Sequence, residues 1–199
     1  MTVPIAGETG STGLIMPKLK YRFRVMFTNM GVTKPTTTVT KQVMTVTRPS
    51  VSFEDITIDI YNSKLRLAGK HTWEDVTIEV RDDAQGTVAV LVGEQLQKQL
   101  DFSEQASAAS GMDYKFQCTI EILDGGNGAN APAALEVWEL YGCYLQAVNY
   151  NDLTYADSAP VTITMTLRFD NAVQTPLGSG LGTAVARTVN TLVTGVGSS

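Results

Sequence analysis

The residues able to do chemistry are few and scattered. His71, the single histidine, lies in LAGKHTW beside an expected turn, with no Ser or Cys motif that would make it the base of a nucleophilic site. The acid pairs Glu54-Asp55, Glu74-Asp75 and Asp82-Asp83 could in principle share general acid–base work. Neighbours on a strand point to opposite faces, so these pairs read better as solvated turn charges. Cys118 and Cys143 form no metal framework, since two thiols this far apart match no ligand spacing. The loop DGGNGAN, Asp124 to Asn130, resembles one turn of a glycine-rich calcium repeat, but it occurs once and such sites need stacked copies. It reads as a turn tolerant of positive φ. The segment GSGLG, Gly178 to Gly182, lacks the third glycine of a dinucleotide fingerprint and reads as linker. No catalytic, cofactor-binding or metal site is expected, and the chain does not read as an enzyme.

Chemistry that is missing directs attention to the elements themselves. With 199 residues, 43% of them hydrophobic and 18% charged, the chain is long enough for one domain with a sizeable core. Its net charge of -5 disfavours wrapping of DNA, which needs clustered Lys and Arg. That charge is unevenly spread: residues 1–81 hold 11 Lys+Arg against 7 Asp+Glu, and residues 82–199 hold 4 against 13. Such segregation has no consequence within one compact domain, or it gives complementary surfaces on which copies stack head to tail. The opening MTVPIAGETGSTG is too polar for a signal-peptide core and no run of 18 apolar residues occurs. The expectation is a soluble, cytoplasmically made protein with reduced thiols and no membrane anchor.

The body alternates with a period of two, the mark of half-buried strands. Tyr21, Phe23, Val25 and Phe27 share one face, as do Ile56, Ile58 and Ile60; Val76, Ile78 and Val80; and Phe116, Cys118, Ile120 and Ile122. The clearest case is Val161, Ile163, Met165, Leu167 and Phe169, with polar residues between them. Each run is expected to bury its apolar face against a core. One segment has a helical period: Val88, Leu91, Val92, Leu96 and Leu100, after Gly86. The fold class is therefore mainly β, a rolled antiparallel β-barrel or sandwich with one flanking α-helix and extended N- and C-terminal arms. The domain spans 18–171. The arms are 1–17 and the Gly/Ser/Thr-rich 172–199, where Ala184, Val185, Val189, Leu192 and Val193 could form a short apolar helix face.

Three stretches together carry a resemblance. YNSKLRLAGKHTWEDVTIEVRDD, Tyr61 to Asp83, runs a strand with Lys64 and Arg66 through Ala68-Gly69 to Trp73, Glu74-Asp75 and an alternating strand, and the amphipathic helix follows. YGCYLQAVNYNDLTYADSAPVTITMTLRFD, Tyr141 to Asp170, has a glycine-led strand and an acidic turn before the last alternating strand. RPSVSFEDITIDI, Arg48 to Ile60, leads into a long hairpin. In this order they resemble the tail tube protein of contractile-tailed bacteriophages, a family akin to the tube subunits of pyocins and type VI secretion needles.

The resemblance implies a structural subunit of a virion tail tube, made and assembled in the host cytoplasm. It implies homo-hexamer rings that stack into a hollow conduit inside a tail sheath protein, bounded by baseplate and tail-terminator proteins. DNA passes the lumen without specific binding, and sheath contraction drives the tube through the envelope. The hairpin from about Arg48 to Lys70 would reach the adjacent ring, with Arg48, Phe53, Asp55, Tyr61, Lys64, Arg66 and Lys70 as the contact residues and Trp73 as core at its base. Edge strands paired between subunits would satisfy backbone groups otherwise left open. Other readings stand beside this one: a tube-like baseplate or tail-terminator component, or a monomeric ligand-binding β-sandwich recognising carbohydrate through Tyr144, Tyr150 and Tyr155.

Overall fold

The computed structural model describes residues 18–32, 36–38, 41–124, 132–156 and 158–175. The glycine loop after Asp124, the GSGLG segment, the apolar helix face near 184–193 and residues 1–17 lie outside the described residues. The alternating runs become strands: β1 Phe23–Thr28, β2 Thr36–Thr38, β3 Val43–Val46, β4 Val51–Ile60, β5 Ser63–Trp73 and β6 Val76–Arg81. After them come helix α1 Thr87–Gln99, the short pair β7 Leu100–Asp101 and β8 Ala106–Ser107, a single turn α2 Gly111–Tyr114, then β9 Phe116–Leu123, β10 Ala134–Asn149, β11 Thr162–Arg168 and β12 Asn171–Thr175.

Eight of these strands form one antiparallel sheet in the order β2-β1-β9-β10-β11-β6-β3, with β12 also on β10. β10 turns the sheet. Its first part, Val137 to Tyr141, lies between β9 and β12, whereas Tyr144 to Asn149 pairs with β11. The turning point is Gly142, whose φ of +67° is a left-handed conformation that L side chains rarely adopt. A Cβ there would stand 2.2 Å from Asp170 Oδ2, so both backbone and space require glycine. Beyond the corner the register against β11 slips between Leu145 and Ala147. There the Gln99 side chain stands in for a neighbouring strand: Leu145 N–H donates to its Oε1 at 2.9 Å, and its Nε2 donates to Leu145 O at 2.9 Å.

Both halves of the turned sheet and α1 enclose one core. Phe27, Ile78, Ile120, Leu140, Ile163 and Met165 are all at most 1% exposed, each from the inward face of its run. α1 lays Val88, Leu91 and Val92 on this core, together with Gln95. Gln95 is fully buried yet satisfied, accepting from Gly31 N–H at 3.1 Å and donating to Tyr114 O at 2.6 Å. Asp83 and Asp82 accept the first helical N–H groups, Thr87 at 2.9 Å and Val88 at 3.3 Å. The Thr87 N–H holds the Asp83 carboxyl below its ordinary range. Thus Asp82-Asp83 is a helix cap as well as a turn.

Four details depart from the sequence pattern. Tyr21 is 72% exposed because the chain turns before β1 starts, and Val161 is exposed because β11 starts one residue later. Leu100 leaves the helix to begin β7. β12 belongs to the folded body, with Ala172 buried, although it lies in the span that composition assigned to the arm. The largest departure concerns β4 and β5, which bury almost nothing.

Candidate assembly surface

Among the described residues β4 and β5 pair only with each other, as a two-stranded ribbon apart from the main sheet. The expectation that Ile56, Ile58 and Ile60 bury one face against the core is wrong. They are 50%, 44% and 51% exposed, and among the described residues no third strand joins the pair. Across the ribbon Leu67 faces Ile56 and Leu65 faces Ile58, so five aliphatic side chains form one uncovered stripe. Covering the remaining half of each would gain on the order of 1 kcal/mol. An isolated two-stranded hairpin is marginal in water, and among the described residues no further strand pairs with this one.

The opposite face is polar and internally balanced. Asp55, Thr57 and Asp59 alternate along β4 against Ala68, Arg66 and Lys64 on β5. Arg66 lies 3.4 Å from Asp55 and Lys64 lies 3.7 Å from Asp59. These exposed pairs contribute little to stability, but they cancel charge along the ribbon. The change of register between Phe53 and Asp55 sets Glu54 opposite two residues, Gly69 and Lys70, and this bulge bends the ribbon near its base. Gly69 fits because a Cβ would come within 3.1 Å of Glu54 O and of Ile56 Cγ1.

The remaining sequence-selected residues fall at the two ends. Tyr61 sits at the tip with φ +49° and is 99% exposed. Glycine would form this turn with less strain, so the position carries a bulky side chain at a conformational cost. At the base, Phe53, His71, Trp73 and Phe169 make an aromatic row with successive centroids 6.3, 6.1 and 5.6 Å apart. Trp73 packs against the core as expected and roots the ribbon in the body. Lys70 is exposed on β5, whereas Arg48 lies before the ribbon and approaches Glu136 at 3.9 Å. The structure therefore gathers Asp55, Tyr61, Lys64 and Arg66 on the outer ribbon, and it sets Phe53 and Lys70 near the root and Arg48 on the body.

Arg48 also lines a second surface feature that the sequence reading missed. A cleft of about 570 Å³ opens between β3 and the β1–β9 pair. Lys18, Lys20, Arg22 and Arg48 rim it, and Phe23, Met44, Val46 and Ile122 lie within it. Nothing in the local sequence marks it, because its walls come from strands far apart in the chain. Below this rim, Glu136 is 4% exposed and accepts from Lys18 Nζ at 2.5 Å, Trp138 Nε1 at 2.7 Å and Gln174 Nε2 at 2.8 Å. Burial pushes its carboxyl up, but the Lys18, Gln174 and Trp138 donors outweigh this, and the net shift is downward.

The groups that could act as catalysts are dispersed over the described residues. Burial raises the Cys118 thiol well above its ordinary value and pushes the Cys143 thiol up to about 12, so neither supplies a thiolate near neutrality. His71 is exposed on β5, with its ring in the aromatic row between Phe53 and Trp73. Asp55 and Asp75 are taken up by Arg66 and Arg168. Among the described residues no three His, Cys, Asp or Glu side chains gather to hold a metal ion, and no helix is long and apolar enough to cross a membrane. Of the three tyrosines considered for carbohydrate, Tyr144 stacks edge-on against Tyr114 at 6.4 Å, apart from the exposed Tyr150 and Tyr155.

Comparison with known proteins gives the fold its context. No protein-family model matches the chain, and no curated protein matches it. Solved structures do. A chain of the anti-feeding prophage baseplate, from a six-fold symmetrised cryo-EM structure, superposes with TM-score 0.63 at 14% identity, covering 83% of this chain and all of that one. A chain of the sheath–tube complex of an extracellular contractile injection system, PVC, in its extended state gives 0.59 at 14% identity, covering 81% and 93%. A chain of the anti-feeding prophage tube-terminating cap gives 0.61 at 11% identity, covering 86% and 99%. The chain has the fold of components of the tube, cap and baseplate assemblies of contractile injection systems.

Proposed function

We propose that this protein is a structural subunit of the inner tube of a contractile tail, assembling as six-membered rings that stack into a hollow conduit. The observation that carries the reading is the β4–β5 ribbon. A body with a well-packed core extends a hairpin whose five aliphatic side chains stay about half exposed, and a neighbouring copy is the surface always present at high local concentration in a polymer. Tyr61 at the tip and the stripe Ile56, Ile58, Ile60, Leu65 and Leu67 make the contact. Lys64 and Arg66 with their acidic partners keep the other face soluble until rings stack. No bond is made or broken by the subunit; its work is mechanical.

A sheath protein surrounds the tube, baseplate and tail-terminator proteins close its ends, and contraction drives it through the target envelope. The net charge of -5 suits a lumen through which DNA slides without specific binding, because a repelling wall offers no strong phosphate sites. The likeness to cap and baseplate chains favours a second reading, a tube-like ring that ends the conduit instead of extending it. Negative-stain electron microscopy of the purified chain, with its sedimentation mass, tests both. Long hollow tubes support the main reading, single rings support the second, and a sharp monomer at high concentration under all salt conditions removes both.

A further inference from the structure

Ring closure requires a head-to-tail interface, in which two different patches of one chain meet on successive copies; a self-complementary patch yields only dimers. The described surface offers such a pair. One member is the cleft between β3 and the β1–β9 pair. Of its four cations, Lys18 and Arg48 pair with Glu136, whereas Lys20 and Arg22 have no ion pair among the described residues. The rest of its lining is apolar apart from Thr45, and Met44 there is 48% exposed. A cleft that is cationic at the rim and apolar within suits a segment that carries an acid beside large apolar side chains.

The second member is such a segment. The connection between β10 and β11 presents Asp152, Leu153 and Tyr155, with Leu153 80% exposed and Tyr155 fully exposed. Large side chains this bare on a short projection are unusual for a surface with no partner. The projection is also held in place. Asn151, at φ +52°, donates from Nδ2 to Thr162 Oγ1 at 2.7 Å and to Thr162 O at 3.1 Å, and Ala156 N–H donates to Thr154 Oγ1 at 3.2 Å. Fixing the base in advance lowers the ordering cost of docking.

We infer that the Asp152–Tyr155 projection of one copy docks in the basic cleft of the next, with Leu153 and Tyr155 entering over Phe23, Met44 and Val46 and Asp152 meeting Lys20 and Arg22. This contact is distinct from the ribbon and closes the ring within its plane, whereas the ribbon serves stacking. It also gives the opposite charges of the two halves of the chain a use, since the cleft cations precede residue 82 and the projection follows it. The inference rests on the tube reading.

The test pairs charge reversal with cross-linking in the full-length chain. Arg22→Glu and Asp152→Lys should each lower the ring fraction in sedimentation about tenfold, and combining them should restore it to within a few-fold of wild type. Separately, Thr45→Cys with Thr154→Cys, one on each patch, should give a ladder of linked multimers on oxidation; Cys118 and Cys143 are buried and do not interfere. Wild-type rings with no ladder and with both reversals assembling normally would overturn this inference and leave the tube reading intact. A link formed only within one chain would overturn it likewise. A wild-type chain that never leaves the monomer would remove the tube reading, and this contact with it.

Discussion

β11 and β4 carry the same pattern and meet opposite fates. In β11, Ile163, Met165 and Leu167 alternate with Thr and Arg and are at most 1% exposed, flanked by β10 and β6 and facing the core. In β4, Ile56, Ile58 and Ile60 alternate with Asp and Thr just as regularly and stay about half exposed, with β5 as the sole partner strand among the described residues. Alternation fixes that a segment is a strand and which residues share a face, but what covers that face is a tertiary or quaternary fact. The bare apolar face of β4 and β5 is what the proposed contact with another copy would cover.

Leu167→Ala should separate the two regions most strongly. Truncating a fully buried side chain costs about 2–5 kcal/mol, read as a lower Tm and denaturant midpoint of the isolated subunit. If Leu167→Ala were mild, the body would be no better packed than the ribbon and the contrast would collapse. Next comes the corner. Gly142→Ala forces a side chain into a left-handed backbone and against Asp170, and a loss of roughly 1–3 kcal/mol is expected in chemical denaturation.

Glu136→Gln sharpens the comparison through pH. The folded carboxyl titrates below its ordinary value of 4.5, so its stabilisation is present above that value and fades as pH falls through the lowered folded value. Wild type should exceed Glu136→Gln in stability at pH 7, by on the order of 1 kcal/mol, and the difference should shrink as the pH drops below 4.5. A difference independent of pH would mean that the Lys18, Trp138 and Gln174 contacts do not depend on the charge. The smallest effect on folding is expected in the ribbon. Ile58→Asp should shift subunit stability by no more than about 0.5 kcal/mol while abolishing assembly in sedimentation.

Much of the body was legible because its strands are regular. Val76, Ile78 and Val80, and Ile163, Met165 and Leu167, lie buried as their period requires, and the helix after Gly86 buries Val88, Leu91 and Val92. The hairpin was legible as a hairpin, since two alternating runs flank the turn at Tyr61-Asn62. Its bare face was not, because the sequence does not say whether a third strand will cover Ile58. Charged residues drew attention to Lys64 and Arg66, yet those cations are matched by Asp59 and Asp55, and the aliphatic stripe behind them is the unpaired feature. The cleft was invisible for a different reason. Lys20, Met44 and Ile122 meet only through long-range strand pairing, which no local pattern encodes.

Hydrogen exchange along residues 51–73, in the dilute chain and in the assembled particle, tests the central claim most directly. The ribbon amides should exchange readily when the chain is dilute, having little tertiary support, and should become strongly protected on assembly. Particles whose ribbon exchanges as fast as in the dilute chain, or a chain that forms no particle at any concentration, would contradict the claim that the apolar face of β4 and β5 is covered by another copy.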